Sequence, residues 1–598
     1  MLTTKFLHYK KIYLIGAAIG IPSLYYLSLT PAEKRKAIVN YGAIVRFFRT
    51  FSIGAFISLQ YKRKLFFLKE NSLAYEKAIK DCHLYGANMI LRGCLENGGL
   101  YIKLGQGLVA MNHILPKEYT NTLQSLQDKA LTQNAKQVDD LFKEDFEGKL
   151  PSQIFKEFEM TPRASASLAQ VHKAETFDGK SVAVKVQYID LRDRFNGDMW
   201  ALRFLMELVT YIHPKFGFKW ILDELEDTLA QELDFVHEGK NSERCQFDLK
   251  HLKYVYVPPV LWEYCSMRVL TTEWIDGVKI NDMSRLESMG FSLKDIDTKL
   301  ISMFGEQIFC TGFVHADPHP GNNSVTKYKP RAVPKNKFFL NNLSPAFTNP
   351  CRGIGSAILI RKMDKSKTSL SCTPEIVVLD HGLYDYLPPK DRLALCHFWT
   401  SILTRDEKKL QKYSNRLGVK DYVSFAEILL QRPLRSFRSL DNLNKGKMSS
   451  SSSLFTDKLS SSDLELIKII TKNHFDKIMS ILKDMPKQML LIMRNMNTIR
   501  AITLEHGDLV NRYIIMAKKA IKGSLSYDLT KDSNSSNNIL TRYTRCICYF
   551  LRHSLFEYYL KREIFNQWAY ITYVKVLVFL RLMPPQIADL VLYNRYEI

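Results

Sequence analysis

Residues 166–187, ASLAQVHKAETFDGKSVAVKVQ, do most to limit what this chain can fold into. Asp178-Gly179 is a hairpin turn signal between two runs of alternating apolar residues. In the second run Val182, Val184 and Val186 alternate with Ala183, Lys185 and Gln187, which puts Lys185 on the face opposite the valines. On either side the apolar period is helical, from about Leu73 to Phe142 before it and through WILDELEDTLAQELDFVHEGKNSERC after it. RVLTTEWIDG, Arg268 to Gly277, reads as a further strand running into a turn. A hairpin set among helices predicts an α+β fold. With 598 residues the chain exceeds what one small core organises, so two lobes or several domains are expected.

The stretch VHADPHPGN, Val314 to Asn322, carries the densest chemistry. His315, Asp317 and His319 alternate as metal ligands on a strand would, but Pro318 and Pro320 remove backbone donors and shape a loop instead. His315, Asp317 and Asn322 also fit H-x-D-x-x-x-x-N, the spacing of a phosphotransferase catalytic loop. The order of the surrounding parts chooses between these readings. Phosphoryl transfer needs a lysine on the nucleotide phosphates and a carboxylate to hold that lysine. It also needs an aspartate at the attacking oxygen, and an asparagine with a second aspartate for magnesium. Lys185, Glu238, Asp317, Asn322 and Asp380 of VVLDHG supply them in kinase order. Each alone has an ordinary explanation: an exposed strand lysine, a helix surface charge, a turn former after a buried strand. Their joint order does not. No G-x-G-x-x-G precedes Lys185. RASASLAQVH stands there, and its small side chains still let backbone amides approach phosphate, with less φ freedom than glycine gives.

A formal net charge of +23 calls for an acidic neighbour: nucleic acid, an anionic membrane or a nucleotide. Before Glu70 the only acid is Glu33, against twelve Lys and Arg, as in a mitochondrial targeting segment. Ile12 to Leu29 is an uncharged run of eighteen residues, just long enough to span a bilayer, although Pro22 and two glycines interrupt it. A membrane anchor is the expectation; a cleaved signal or a buried helix are the alternatives. Basic residues flank the run on both sides, which leaves its orientation open. The ten cysteines show no metal-ligand spacing. Residues 324–373 hold ten Lys or Arg against the single acid Asp364, and residues 441–463 include five consecutive serines; both read as solvated insertions. The aromatic-rich stretch from Tyr549 to Pro585 reads as a buried helix closing the large lobe, with an interfacial helix as the alternative. No nucleic-acid recognition motif accompanies the positive charge, so no nucleic-acid partner is expected.

YIKLGQ (Tyr101 to Gln106), LPKEYTNTLQSLQD, ASASLAQVH, VAVKVQ, QELDFVHE, HADPHPGN and LDHG together resemble the UbiB, or aarF-domain, family of atypical protein-kinase-like proteins over about residues 95–385. LDHGLYDYLPPKDRLALCHFWTSIL resembles the mitochondrial aarF-domain subgroup, whose magnesium triplet is Asp-His-Gly. The resemblance implies a protein-kinase-like two-lobed fold with a helical extension over the active site and an N-terminal membrane segment. The implied parts are a targeting and transmembrane segment at 1–35, a helical extension at 36–150, an N-lobe at 151–280, and a C-lobe at 281–598 carrying both insertions. The family's K-x-G-Q motif falls on Lys103 and Gln106, on a helix that blocks a peptide substrate. Its alanine-rich nucleotide loop falls on Ala164, Ser165, Ala166 and Ser167. Its E-x-D motif falls on Glu232 and Asp234, and its lysine partner on Glu238, one helical turn from Asp234. Glu273 to Asp276 take the hinge position beside the adenine by their place in the order.

The implied cofactors are ATP or ADP and Mg2+, and the implied activity is that of an ATPase or atypical kinase. The implied setting is coenzyme Q or mitochondrial lipid homeostasis, with an inner-membrane lipid or quinone as partner. If the apolar run stops transfer, the body faces the intermembrane space. Two rivals stand beside this reading. One is a small-molecule kinase, since HADPHPGN also resembles the loop of aminoglycoside and choline phosphotransferases. The other is a catalytically inactive pseudokinase scaffold that binds nucleotide or lipid. His381 replaces the usual phenylalanine of the triplet, so the packing that sets kinase states is not carried over.

Overall fold

A computed structural model describes residues 27–69, 72–110, 115–128, 135–165, 168–212, 219–316, 318, 358–362, 373–404, 406–430, 485–531 and separate positions between 547 and 580. Ala166, Ser167, Asp317, Asn322, nearly all of the apolar run and the insertion at 441–463 lie outside the described residues. Helices of ten residues or more are α1 (Pro31–Leu65), α2 (Leu73–Asn97), α3 (Leu100–Ala110), α4 (Ala135–Asp145), α5 (Leu191–Ile212), α6 (Lys219–Glu232), α7 (Phe235–Leu249), α8 (Leu293–Gly305), α9 (Pro389–Thr404), α10 (Glu407–Arg416), α11 (Lys487–Glu505) and α12 (Arg512–Lys531). The strands are β1 (Glu157–Phe158), β2 (Ala164–Ser165), β3 (Ala169–Glu175), β4 (Ser181–Gln187), β5 (Val255–Tyr256), β6 (Val269–Glu273), β7 (Val278–Lys279), β8 (Phe313–His315), β9 (Ile358–Lys362), β10 (Pro374–Val378) and β11 (Tyr384–Tyr386). The α+β expectation holds. Contacts divide the chain into two compact units, Met1–Val236 with Leu261–Thr271, and His237–Val260 with Thr272–Ile598.

In the first unit the predicted hairpin forms as β3 and β4, with Val171 opposite Lys185. Gly179 turns it at φ 80, and Lys180 N–H donates to Thr176 Oγ1 at 3.1 Å. Val182, Val184 and Val186 are buried against Val138 and Phe142 of α4, Phe155 and Val269. The sheet runs β1-β3-β4-β6, with β2 also on β3. Helix α1 starts on a capping box: Glu33 N–H donates to Thr30 Oγ1 and the Glu33 carboxylate accepts from Thr30 N–H. Its Ala32–Leu65 stretch is long and apolar enough to cross a membrane. Arginines fix it to the unit instead: Arg35 to Asp193 at 3.0 Å, Arg46 to Asp198 at 2.8 Å, and Arg49 to Asn97 at 2.8 Å. The chain turns from α2 into α3 at Gly98 and Gly99, both at positive φ.

The second unit holds a sheet in the order β5-β10-β9-β7 and a two-stranded pair, β11-β8. Strand β9 lies inside the range predicted as a solvated insertion, 324–373, and corrects that expectation for residues 358–362. Ile358, Leu359 and Ile360 are fully buried, paired with Val378, Val377 and Ile376 of β10. All five positions of β10 are buried, so it requires a partner on each edge, and β5 and β9 provide them. The C-terminal expectation also changes. Phe556 and Val574 are buried and Lys518 reaches Glu557 at 2.8 Å, while Phe550, Phe565, Trp568 and Phe579 are exposed. The stretch is therefore docked along one edge and open along the other.

Candidate functional site

Lys185 stands on β4 with its ammonium 5.1 Å from the Phe235 ring centroid, as the alternation of the strand predicts. Ala164 and Ser165 are close to it in the sheet, because β2 pairs them with Val171 and Gln170 of β3. Burial pushes the Tyr188 phenol up in pKa, and its hydrogen bond with Ser165 works the other way. The first two residues of the small-residue loop, Ala164 and Ser165, thus enter as an edge of the lysine's own sheet.

Lys103 and Gln106 share a face of α3 but not a partner. Lys103 Nζ lies 2.6 Å from the Glu232 carboxylate at the end of α6, with both side chains largely covered. Gln106 Nε2 donates to the Leu126 carbonyl at 2.9 Å. Between them, Gly105 is a residue that the charge pattern does not single out. A Cβ there would lie 2.3 Å from Leu126 Cδ1 and 3.2 Å from Cys94 Sγ, so a side chain at this position would displace Leu126. Two residues past Glu232, Asp234 Oδ1 accepts from Val236 N–H at 3.0 Å and caps α7. Glu238, 2% exposed, sits one turn into that helix. The E-x-D stretch therefore does two things: its first carboxylate ties down α3 and its second starts the helix that carries Glu238.

In the second unit the H-x-D and D-H-G motifs meet through backbone. Strands β8 and β11 pair antiparallel with His315 opposite Tyr384, and Ala316 N–H donates to the Leu383 carbonyl at 3.0 Å. The strand that enters Asp317 is thereby held beside the turn that carries Asp380. Asp380 Oδ1 accepts from Gly382 N–H at 3.1 Å, which fixes the carboxylate on its turn. His381 is buried, its Nδ1 3.0 Å from Tyr384 Oη and its Nε2 3.2 Å from the Val378 carbonyl. Both ring nitrogens are occupied, so His381 is a brace and not a metal ligand. The position of the missing phenylalanine is filled by a ring that packs like one: His381 stacks on Tyr384 at 5.6 Å and on His315 at 6.4 Å.

Three amides that sequence reasoning missed hold this arrangement. Asn495 Nδ2 of α11 donates to the His315 carbonyl at 2.5 Å, Gln307 Oε1 accepts from His315 N–H at 3.2 Å, and Asn241 Nδ2 donates to the His381 carbonyl at 3.1 Å. Only Asn241 had a signal, since it lies three residues after Glu238 on α7. Glu273, expected at the hinge, accepts a hydrogen bond from the Tyr256 hydroxyl at the end of β6. Trp274 Nε1 donates to Asp276 Oδ1 at 3.0 Å within the turn.

Residues 125–414 match the ABC1 atypical kinase-like domain. The protein of Dictyostelium discoideum named "Probable serine/threonine-protein kinase abkD" is 37% identical over 532 residues, 89% of this chain and 67% of its own length. The AarF domain-containing protein kinase 1 of Gallus gallus is 32% identical, covering 82% of this chain and 84% of its own. A Mycobacterium tuberculosis chain solved with erythromycin aligns over 72% of this chain and 94% of its own at 18% identity, with a TM-score of 0.41, a likeness too loose to define a fold. The motifs, their placement on the two units and the extent of the matches to curated relatives lead to one assignment: the chain belongs to the ABC1, or AarF-domain, family of atypical kinase-like proteins.

Proposed function

We propose that this protein binds an adenine nucleotide with magnesium and turns over ATP at a membrane of the mitochondrion, in the service of coenzyme Q or lipid homeostasis. The observation that carries the reading is the pairing of His315 with Tyr384, which brings the approach to Asp317 and the turn of Asp380 together in one unit. Lys185 takes the phosphates with Glu238 as its partner, and Asp317 orients the attacking oxygen and accepts its proton. Asn322 and Asp380 offer amide and carboxylate oxygens, the hard donors that magnesium prefers, while His381 is spent on Tyr384 and Val378. Magnesium, when bound, neutralises charge on the phosphate oxygens. Ala164 to Ser167 lend backbone amides and Glu273 marks the hinge. The Lys103–Glu232 pair holds α3 in place.

The acid-poor start and the apolar run Ile12–Leu29 support a membrane-anchored mitochondrial setting, and a run that stops transfer would put the body in the intermembrane space. Nucleotide binding and ATP hydrolysis by the purified full chain, beside Asp317→Asn and Asp380→Asn, test the enzymatic claim. Loss of hydrolysis in both variants is expected, with nucleotide affinity reduced in Asp380→Asn. Wild-type hydrolysis no greater than that of the two folded variants would remove it.

A further inference from the structure

Helix α1 divides its side chains between two jobs. Between Lys36 and Lys62 its only charged residues are Arg46 and Arg49. Both turn inward, Arg46 to Asp198 of α5 and Arg49 to Asn97 and Glu96 of α2. The opposite face, set by the 3.6-residue period, presents Tyr41, Ile44, Phe48 and Leu59 to solvent. Phe48 is 61% and Leu59 62% exposed. From Tyr41 to Leu59 this uncharged face is about 27 Å long. Trp200 of α5, 64% exposed, continues it sideways through Phe47, whose ring lies 6.2 Å from the indole. An apolar surface of this extent marks an interaction site.

We propose that this α1–α5 face lies flat on a phospholipid bilayer as an in-plane docking surface. Three observations select a membrane over a protein partner, and a fourth selects an in-plane over a spanning helix. The face is flanked by exposed cations at both ends, Lys36 at one and Lys62 and Arg63 at the other, as anionic headgroups require. Its aromatic residues include an exposed tryptophan and tyrosine, the side chains that settle at headgroup level. The apolar run Ile12–Leu29 ends two residues before α1 begins at Pro31, so a membrane that holds the run lies within reach of the helix. Finally, the inward arginines rule out the other membrane use of α1. A spanning helix would have to surrender the pairs with Asp193, Asp198 and Asn97 to hydrocarbon, while an in-plane helix keeps all three. The docking surface rests on the membrane reading above, but not on its enzymatic part.

The test is photo-cross-linking of the full chain in vesicles of phosphatidylcholine and an anionic phospholipid that carry a diazirine-tagged phospholipid, with adducts mapped by mass spectrometry. Adducts are expected on the outward residues of α1 and on Trp200, about fivefold or more above those on Phe177, an equally exposed aromatic at the hairpin turn of the same unit. Phe48→Glu with Leu59→Glu should remove the α1 and Trp200 adducts and leave those in 12–29 unchanged, with an unaltered thermal unfolding curve. Adducts confined to 12–29 would overturn the docking surface while leaving the anchor intact. Adducts nowhere would overturn both. Protein cross-links from α1 to a second copy, or to residues 1–26, would replace the membrane by that occupant.

Discussion

His315 and Tyr384 face each other across two three-residue strands, their rings 4.7 Å apart and 19° from parallel. Strands this short supply few ladder hydrogen bonds, so the ring stack carries much of what holds the Asp380 turn to the strand before Asp317. His381 completes the stack and spends Nδ1 on the Tyr384 hydroxyl.

Removing the ring and removing the hydroxyl should therefore differ. Tyr384→Phe keeps the stack and loses the partner of His381, which should cost about 1–2 kcal/mol. Tyr384→Ala leaves a cavity among buried residues and should cost about 3–5 kcal/mol. Urea unfolding of both variants checks this, with nucleotide affinity measured alongside. Equal losses would show that the hydroxyl, and not the stack, is what matters.

The Lys103–Glu232 pair predicts a measurable coupling between α3 and α6. Both side chains are mostly covered, so screening is weaker than at an open surface. A double-mutant cycle with Lys103→Ala and Glu232→Ala should give about 1–2 kcal/mol, above the range of exposed pairs. A coupling within error of zero would mean that α3 is held by packing alone, through Gly105 against Leu126.

Local signals made the hairpin and Lys185 legible, because a turn dipeptide and two-residue alternation lie within one short window. The motifs that carry the family assignment are legible for the same reason, since each sits in its own contiguous stretch. What the sequence did not show depends on distant partners. Ile358, Leu359 and Ile360 looked like three apolar residues lost in a basic region; only β10 and β7, which flank them in the sheet, make them a strand. Asn495 is an ordinary helical asparagine until the His315 carbonyl is seen 2.5 Å away. Helix α1 carries only Arg46 and Arg49 as charges between Lys36 and Lys62, and only their partners Asp198 and Asn97 show which side faces in.

Glu306 gives a pH signature. Burial pushes its carboxyl up, but Lys519 and Lys522, each 2.7 Å away, outweigh this and bring the pKa down to about 2. A depressed folded pKa means stability that is present above the ordinary value of 4.5 and lost as pH falls toward 2. Glu306→Gln should flatten the acid limb of the unfolding midpoint between those values. Superimposable acid limbs for variant and wild type would show that neither lysine is coupled to the carboxylate.

His506 and Asp297 form a fully buried pair, Nδ1 to Oδ1 at 2.6 Å, and His506 Nε2 reaches the Ile280 carbonyl at 2.8 Å. The imidazole thus joins the end of α11 to α8 and to the residue after β7. Burial lowers the pKa of His506, but the hydrogen bond to Asp297 and the aspartate's charge outweigh it, and the net shift is upward from 6.5. Burial also raises Asp297. With a raised folded pKa, the contribution of His506 is complete below 6.5 and is lost as pH climbs through the folded value. His506→Phe deletes both bonds and leaves the Asp297 carboxyl buried alone, which should cost about 3–5 kcal/mol at neutral pH. The fall in stability above pH 6.5 should vanish from the variant, and a new fall should appear as pH rises above 3.8, where the aspartate ionises in the unfolded chain while burial keeps Asp297 protonated in the folded one. Asp297→Leu in the same chain should recover part of the loss by removing that charge. Unfolding midpoints in urea from pH 5 to 9 for the wild type, the single variant and the double variant distinguish these outcomes. Parallel curves for wild type and His506→Phe would mean that the pair is not charged in the folded protein.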